Sequence, residues 1–126
     1  MKGAFLLSES DRLFDEAKQV LIRLGAKCSS DGEVVQLRNE EGESFTLFNK
    51  AQPEWEYKAE PLTAAPGVEL PDVSKMIGLA VECRSETQFT SLVKAIAAGS
   101  DSEVWVEDGD GVIWRASDVD PEHVHL

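Results

Sequence analysis

The alternation of apolar and polar positions predicts short strands and amphipathic helices in a repeated order. Residues 3–7 and 77–82 are short apolar runs, which is typical of strands buried at the centre of a sheet. A helix is predicted after each run, because apolar residues recur there at spacings of three and four. The apolar faces contain Leu13, Phe14, Ala17, Val20, Leu21 and Leu24 in the first helix, and Phe89, Leu92, Val93, Ile96 and Ala97 in the second.

Capping residues predict where the two helices begin and end. Ser8 and Ser10 both compete to cap the first helix, and Ser85 is predicted to cap the second, because a serine hydroxyl can accept a free N–H of the first turn. Gly25 and Gly99 are predicted to end the helices in a left-handed conformation, which glycine adopts without a steric cost.

A hairpin is predicted after each helix, followed by one further short strand. The hairpin strands are predicted at residues 34–37 and 44–48 in the first case, and at residues 104–106 and 112–114 in the second. Asp108-Gly109 or Asp110-Gly111 can supply the positive φ of the second turn. The further strands are predicted at residues 54–58, with Trp55 and Tyr57 pointing inward, and at residues 124–126.

The order of elements in the first half of the chain recurs in the second. When Ser10 is set against Ser85, the apolar faces of the two predicted helices coincide. Residues 61–73 contain three prolines, and they are predicted to form a linker that wraps the surface.

These elements predict one α+β domain that spans residues 1–126. Residues 1–60 and 74–126 are interpreted as its two β-α-β-β-(β) halves. Because the helices alternate with hairpins rather than with single strands, the sheet is predicted to be mostly antiparallel, with the two helices on one face.

The composition is acidic, and the acidic residues are unevenly distributed along the chain. The chain has 24 Asp and Glu against 12 Lys and Arg, which gives a net charge of −12, and residues 101–126 contribute −7 of it. Such a surface repels nucleic acid and anionic lipid and attracts a basic protein at long range. Acidity that serves only solubility is the alternative interpretation.

Several features favour a cytoplasmic protein without membrane association. No apolar run approaches the roughly 18 residues of a membrane span, and the run at residues 4–7 is too short for a signal peptide. Two cysteines, Cys28 and Cys83, are too few for a disulfide framework and fit a reducing compartment.

The sequence does not predict an enzyme or a cofactor. It contains no nucleophile elbow and no phosphate-binding glycine loop, and Cys83 is expected to be buried on its strand. Asp108-Gly-Asp110-Gly begins like a calcium loop but lacks the later ligands, so a hairpin turn is the better interpretation. His123 and His125 lack a clear third ligand, and no metal site is predicted.

The C-terminal run VWVEDGDGVIWRASDVDPEHVHL, preceded by the helix SETQFTSLVKAIAA, resembles the end of small bacterial proteins. Some of these resemble immunity proteins of polymorphic or contact-dependent toxin systems. The resemblance covers residues 81–126 and implies a protein that binds and blocks a toxin, commonly a basic nuclease, through an acidic face. It brings no catalytic residues.

The leading interpretation is therefore an acidic binding protein, most concretely an immunity protein that binds and blocks a basic toxin domain. Its acids would steer the partner and one aromatic side chain would anchor it. The predicted partner-binding residues are Glu103, Glu107, Asp108, Asp110 and Asp118, with Trp55 or Trp105 as the anchor. Two alternatives stay open: a structural or homo-oligomeric scaffold protein, such as a homodimer through an edge strand, and a metal-binding or small-ligand module that uses the C-terminal acids and histidines. The protein itself is predicted to be a monomer or a homodimer.

Overall fold

The computed structural model describes residues 3–51 and 63–126 of the chain, and this part contains eight strands and two α-helices. The strands are β1 (Gly3–Ser8), β2 (Lys27–Cys28), β3 (Val34–Arg38), β4 (Ser44–Ala51), β5 (Thr63–Ala64), β6 (Ile77–Cys83), β7 (Trp105–Glu107) and β8 (Val112–Arg115). The helices are α1 (Leu13–Arg23) and α2 (Glu86–Ala98), and two short 3-10 helices are found at Val73–Lys75 and Ala116–Asp118.

The eight strands form one sheet in the order β2-β3-β4-β6-β1-β7-β8-β5. The two apolar runs, β1 and β6, lie side by side near its middle as an antiparallel pair, with Gly3 opposite Glu82 and Ser8 opposite Ile77. The other neighbouring strands are also antiparallel, except that β5 and β8 are parallel. The predicted α+β fold with a mostly antiparallel sheet is confirmed.

Both helices pack on the same face of the sheet. One hydrophobic cluster joins alternate residues of the central strands to the apolar faces of α1 and α2. Its fully buried members include Leu6, Leu21, Val35, Phe45, Leu47, Phe89, Val93, Ile96 and Val106. The rings of Phe45 on β4 and Phe89 on α2 lie 6.0 Å apart between centroids, so α2 packs directly over the sheet.

The opposite face of the sheet is covered in part by residues from the predicted linker. A second cluster consists of Leu7, Met76, Trp105 and Ile113, with Val68 and Val73 packed against it. The predicted linker also supplies β5, an element that the sequence analysis does not predict. The described residues of the predicted linker therefore add a strand to the sheet and side chains to its second hydrophobic cluster.

The two predicted halves interleave within the sheet. The β3–β4 hairpin of the first half pairs with β6 of the second, and the β7–β8 hairpin of the second pairs with β1 of the first. The predicted strand at residues 54–58 lies outside the described residues. The predicted strand at residues 124–126 is wrong, since a turn around Asp120 precedes this segment and β5 already occupies the outer edge of β8.

The serine caps differ between the two helices. Ser85 caps α2 as predicted, because its Oγ accepts the N–H of Gln88 at 3.1 Å. The predicted serine cap of α1 is wrong. The hydroxyl of Ser8 accepts the N–H of Ser10, and the hydroxyl of Ser10 accepts the N–H of Arg12, so both serines stabilise the turns before the helix.

Two different physical constraints favour glycine at the two helix ends. Gly25 ends α1 as predicted, with a φ of 105°. The left-handed conformation predicted for Gly99 is wrong, because its φ is −94°. Glycine is favoured at position 99 because there is no room for a side chain: a Cβ on Gly99 would lie 2.5 Å from Cγ2 of Val20, where α2 contacts α1.

We expect Gly99→Ala to lower the free energy of unfolding by about 1–2 kcal/mol, because the added methyl group overpacks the contact with Val20. Helix propensity alone predicts the opposite sign, since alanine ordinarily favours a helix over glycine. Urea denaturation measures the change, and Ala98→Ser at the exposed neighbouring position is the control. In Val20→Ala/Gly99→Ala the two effects should be less than additive. Strict additivity would show that the two side chains do not collide.

Candidate functional site

The β7–β8 hairpin divides the predicted partner-binding acids between its two ends. Glu107, Asp108 and Asp110 lie at or in the turn, whereas Glu103 precedes β7 and Asp118 follows β8. The structure therefore brings three of the five acids together and separates them from the other two.

Asp108 organises the turn that joins β7 to β8. Its Oδ1 accepts the N–H groups of Asp110 at 2.9 Å and of Val112 at 3.0 Å. Its Oδ2 accepts the indole N–H of Trp114 at 3.1 Å and the N–H of His125 at 3.3 Å. The Asp108 side chain is buried, and its hydrogen bonds join the turn, β8 and the C-terminal segment. Its role in the fold is therefore structural.

The turn itself is the hairpin turn that the sequence predicts. Gly111 has a φ of 77°, and its N–H donates to the carbonyl of Asp108 at 3.1 Å. Asp108-Gly109-Asp110-Gly111 is thus explained by backbone geometry and by the hydrogen bonds to Asp108.

Glu107, the last residue of β7, is a buried acid with one carboxylate oxygen that has no hydrogen-bond partner. The residue is 5% exposed, and its Oε2 is buried with no donor within reach. Burial raises the pKa of the Glu107 carboxyl to about 7, and the negative charge of Asp108 contributes to the rise. Near neutral pH this side chain is therefore divided between its two protonation states.

Glu107 lines a cleft of about 340 Å³ at the ends of β1, β6 and β7. We define this Glu107 cleft by Phe5, Ala80, Glu82, Glu107 and Asp108, together with the backbone of Gly3, Gly109 and Gly111. Three acidic residues line it, and no Lys, Arg or His is found among the described residues of the lining. Glu82 was not predicted as a site residue, since in the sequence it is only one polar position at the end of an apolar strand.

At the other end of β7, Glu103 and Trp105 belong to a different environment. The carboxylate of Glu103 lies 3.4 Å from Nε of Arg115, and the guanidinium of Arg115 lies 5.5 Å from the centre of the Trp105 ring. Trp105 is only 7% exposed and packs with Leu7 and Ile113. Most of its ring is therefore occupied by the second core, whereas Glu103 remains accessible.

The remaining predicted site residues lie on the surface or outside the described part of the chain. Asp110 and Asp118 are exposed, and the Asp110 carboxylate lies 3.4 Å from Nδ1 of His125. Trp55, the alternative aromatic anchor, lies outside the described residues. Glu103, Asp110 and Asp118 are thus the predicted acids that can face a partner at the surface.

The two C-terminal histidines face different carboxylates. His123 Nδ1 lies 2.6 Å from Oδ2 of Asp120, a contact that raises the pKa of His123 and lowers the pKa of Asp120. His125 faces Asp110 instead. Within residues 3–51 and 63–126, no group of three or more His, Cys, Asp or Glu side chains is placed to hold one metal ion.

Cys83 is buried at the end of β6, as its strand position predicts. Its thiol donates to the carbonyl of Ser85 at 3.4 Å and to Oε1 of Gln88 at 3.5 Å. Burial raises the pKa of the Cys83 thiol, which disfavours the reactive thiolate. The pKa of this thiol is thus raised even though Arg84 follows Cys83 in the chain.

Comparison of the chain with protein-family models, with curated proteins and with solved structures finds no match. No relative therefore assigns a role to Glu107, Glu82 or Asp110, whose chemistry rests on the geometry described above. Neither helix in the described part of the chain is long and apolar enough to cross a bilayer.

Proposed function

We propose that this protein binds a basic partner protein and blocks it, in the manner of an immunity protein acting on a cognate toxin domain. The observation that carries this proposal is the Glu107 cleft, whose described lining includes the acidic residues Glu82, Glu107 and Asp108 and no basic residue. A buried carboxylate oxygen without a donor is unfavourable, and a cationic group from a partner would remove that cost.

The distribution of exposed acids supports attraction of such a partner over a longer range. Asp101, Asp118 and Glu122 are exposed and have no ion-pair partner among the described residues, and Asp110 is exposed beside the cleft. A surface of one sign raises the association rate of an oppositely charged protein, and salt weakens this effect. The proposal therefore predicts a partner rich in Lys and Arg and an association rate that depends strongly on salt.

A scaffold assembled by pairing of edge strands has less support. The edges of the described sheet are β2 and β5, which have two residues each. Short edge strands offer few free N–H and C=O groups for pairing with another chain. A metal-binding module also has less support, since the two histidines face different carboxylates.

The first test is recovery of the partner from an extract of the source organism with the tagged protein. We expect one basic protein in stoichiometric amount after a wash at about 0.05 M salt and much less after about 0.5 M salt, because screening shortens the range of the attraction. Co-expression should then relieve the toxicity of that protein. Recovery of this chain alone, at either salt concentration, would contradict the proposal.

We expect Asp110→Lys/Asp118→Lys to lower the association rate with that partner by about tenfold at low salt and to flatten its salt dependence. The physical reason is the reversal of two exposed charges on the acidic C-terminal region. Stopped-flow or biosensor kinetics measures the rate. Glu40→Lys/Glu41→Lys, in the exposed β3–β4 turn, changes the net charge equally and is the matched control. Equal rates for the two double variants would show that net charge, rather than the C-terminal acids, attracts the partner.

A further inference from the structure

We propose that the Glu107 cleft is a binding site for one primary ammonium or guanidinium group. The group would donate hydrogen bonds to Glu107 and neutralise the charge that Glu107, Glu82 and Asp108 place together. This inference rests on the proposed function only for the source of the group. A Lys or Arg side chain of the basic partner is one source, and a free amine is the other.

The unpartnered oxygen of Glu107 is the first argument for such a ligand. Buried polar atoms in folded proteins almost always have a hydrogen-bond partner, and an exception needs a reason. Oε2 of Glu107 is buried without one, and the same residue lines the cleft. A ligand that enters the cleft with N–H donors would supply the missing hydrogen bond.

The arrangement of the other carboxylates favours an organic cation over a metal ion. Both oxygens of Asp108 already accept two N–H groups each from the protein. Glu82 and Glu107 do not form a metal-holding group with any third His, Cys, Asp or Glu among the described residues. Calcium and magnesium need several oxygen ligands around one point, whereas an ammonium or guanidinium group needs only one or two well-placed carboxylates.

The walls of the cleft suit the alkyl stem of such a ligand. Phe5 and Ala80 are half-buried there, and Gly3, Gly109 and Gly111 add backbone without side chains. A volume of about 340 Å³ is at the lower end of the range for small-ligand sites, roughly 300–1,000 Å³. Lys and Arg side chains commonly pack their stems on apolar surface while their charged ends reach polar groups.

The charged groups that line the cleft with Glu107 in the described part of the chain all favour a cation. Phe5 on β1 and Ile113 on β8 are its sheet neighbours and carry no charge. Glu82 on β6 and Asp108 in the turn are the ionisable groups that line the cleft with it. Because the pKa of Glu107 is about 7, a cation that binds the carboxylate must displace a proton at lower pH.

The test is a titration of the full chain with n-butylammonium and with ethylguanidinium, followed by the NMR shifts of the Gly109 and Gly111 amides. We expect saturable binding with a Kd on the order of 1 mM for so small a ligand. The Kd should fall by about tenfold from pH 5 to pH 6 and level off above about pH 7. Tetramethylammonium, which has no N–H donor, and n-butanol, which has no charge, are the control ligands and should not saturate.

Protein variants locate the binding. Glu107→Gln should weaken binding by about tenfold or more, whereas Glu40→Gln, at an exposed glutamate of the β3–β4 turn outside the cleft, should leave the Kd unchanged. Absence of saturable shifts with both cations, equal binding of tetramethylammonium, or an unchanged Kd in Glu107→Gln would each overturn the proposal.

Two further results identify the source of the group and separate this inference from the proposed function. If N-acetyl-lysine amide binds as well as n-butylammonium, the site is assigned to a protein side chain. If N-acetyl-lysine amide does not bind in the cleft, the site is assigned to a free amine. Amines that bind while no basic partner is found would leave the site in place and refute the immunity function. A partner that binds Glu107→Gln as tightly as it binds the unmodified chain would refute this role of the cleft and leave the proposed function intact.

Discussion

Glu107→Gln is expected to stabilise the protein at alkaline pH and to leave its stability nearly unchanged at acid pH. Glutamine resembles the protonated form of the side chain, which the buried position favours. The pKa of this carboxyl is about 4.5 in the unfolded chain and rises to about 7 in the folded protein. The folded state therefore binds the proton more tightly than the unfolded state does.

The sign of the pH dependence follows from this difference. Between pH 4.5 and about 7 the folded state holds more protons than the unfolded state, so the free energy of unfolding falls as the pH rises. The full contribution of the protonated form is present below pH 4.5, and the loss is complete above about pH 7. The difference in pKa corresponds to about 3 kcal/mol, which is the expected advantage of Glu107→Gln over the unmodified chain at about pH 8.

Urea denaturation at about pH 4.5 and about pH 8 measures this advantage as a difference between the variant and the unmodified chain. Titration of other groups cancels in that difference. Glu103→Gln, which removes a carboxylate that is exposed, is the control and should change stability by less than about 0.5 kcal/mol at either pH. A Glu107→Gln variant that gains no stability at alkaline pH would contradict the description of Glu107 as a buried acid with an unpartnered oxygen.

Asp108→Ala is expected to lower the free energy of unfolding by about 2–4 kcal/mol. The variant removes the acceptor of the indole N–H of Trp114 and of three backbone N–H groups, those of Asp110, Val112 and His125. The indole N–H is buried, so its loss of a partner carries much of the cost. Urea denaturation gives the total, and hydrogen exchange should show faster exchange at Val112 and His125.

Asp110→Ala provides the comparison for this prediction. Asp110 lies two residues away in the same turn, but its side chain is exposed, and its contact is with the exposed His125. Its removal should change stability by less than about 0.5 kcal/mol. If Asp108→Ala and Asp110→Ala were equally mild, the Asp108 carboxylate would not be the acceptor that holds the turn together.

The central strands and the second helix could be predicted from the sequence because local rules specify them. The apolar runs at β1 and β6 suit a strand whose two faces are both partly covered, and Ser85 caps α2 through its own hydroxyl. The strand runs at residues 34–37 and 44–48, with a turn between them, likewise predicted the β3–β4 hairpin. Each of these features depends on residues that are close to one another in the chain.

The features that the sequence did not predict depend on contacts between distant segments. Gly99 is glycine because Val20 of α1 lies against it, and no pattern within α2 indicates that. Strand β5 exists because residues 63–64 reach the outer edge of β8, and the interleaved order of the sheet follows from pairing of β4 with β6 and of β7 with β1. A hydrophobic pattern gives the face of a strand but not its neighbour.

For the candidate site, the sequence predicted the acidic C-terminal region but not which of its acidic side chains are buried. The charge count pointed to Glu107 and Asp108, but a count does not distinguish an exposed acid from a buried one. Asp108 is buried because four N–H groups converge on it, and one of them belongs to His125, 17 residues further along the chain. Glu107 is buried beside β1, and its companion Glu82 comes from β6, so the cleft exists only once three distant strands have paired.

Titration of the Glu107 side-chain carboxyl by carbon-detected NMR, without and then with n-butylammonium, is the most direct test of the Glu107 cleft. We expect a midpoint near pH 7 in the free protein and a lower midpoint with the cation, because a bound cation favours the carboxylate. A midpoint near the ordinary value of 4.5 in the free protein, unchanged by the cation, would mean that Glu107 is solvated and that the cleft is not a cation site.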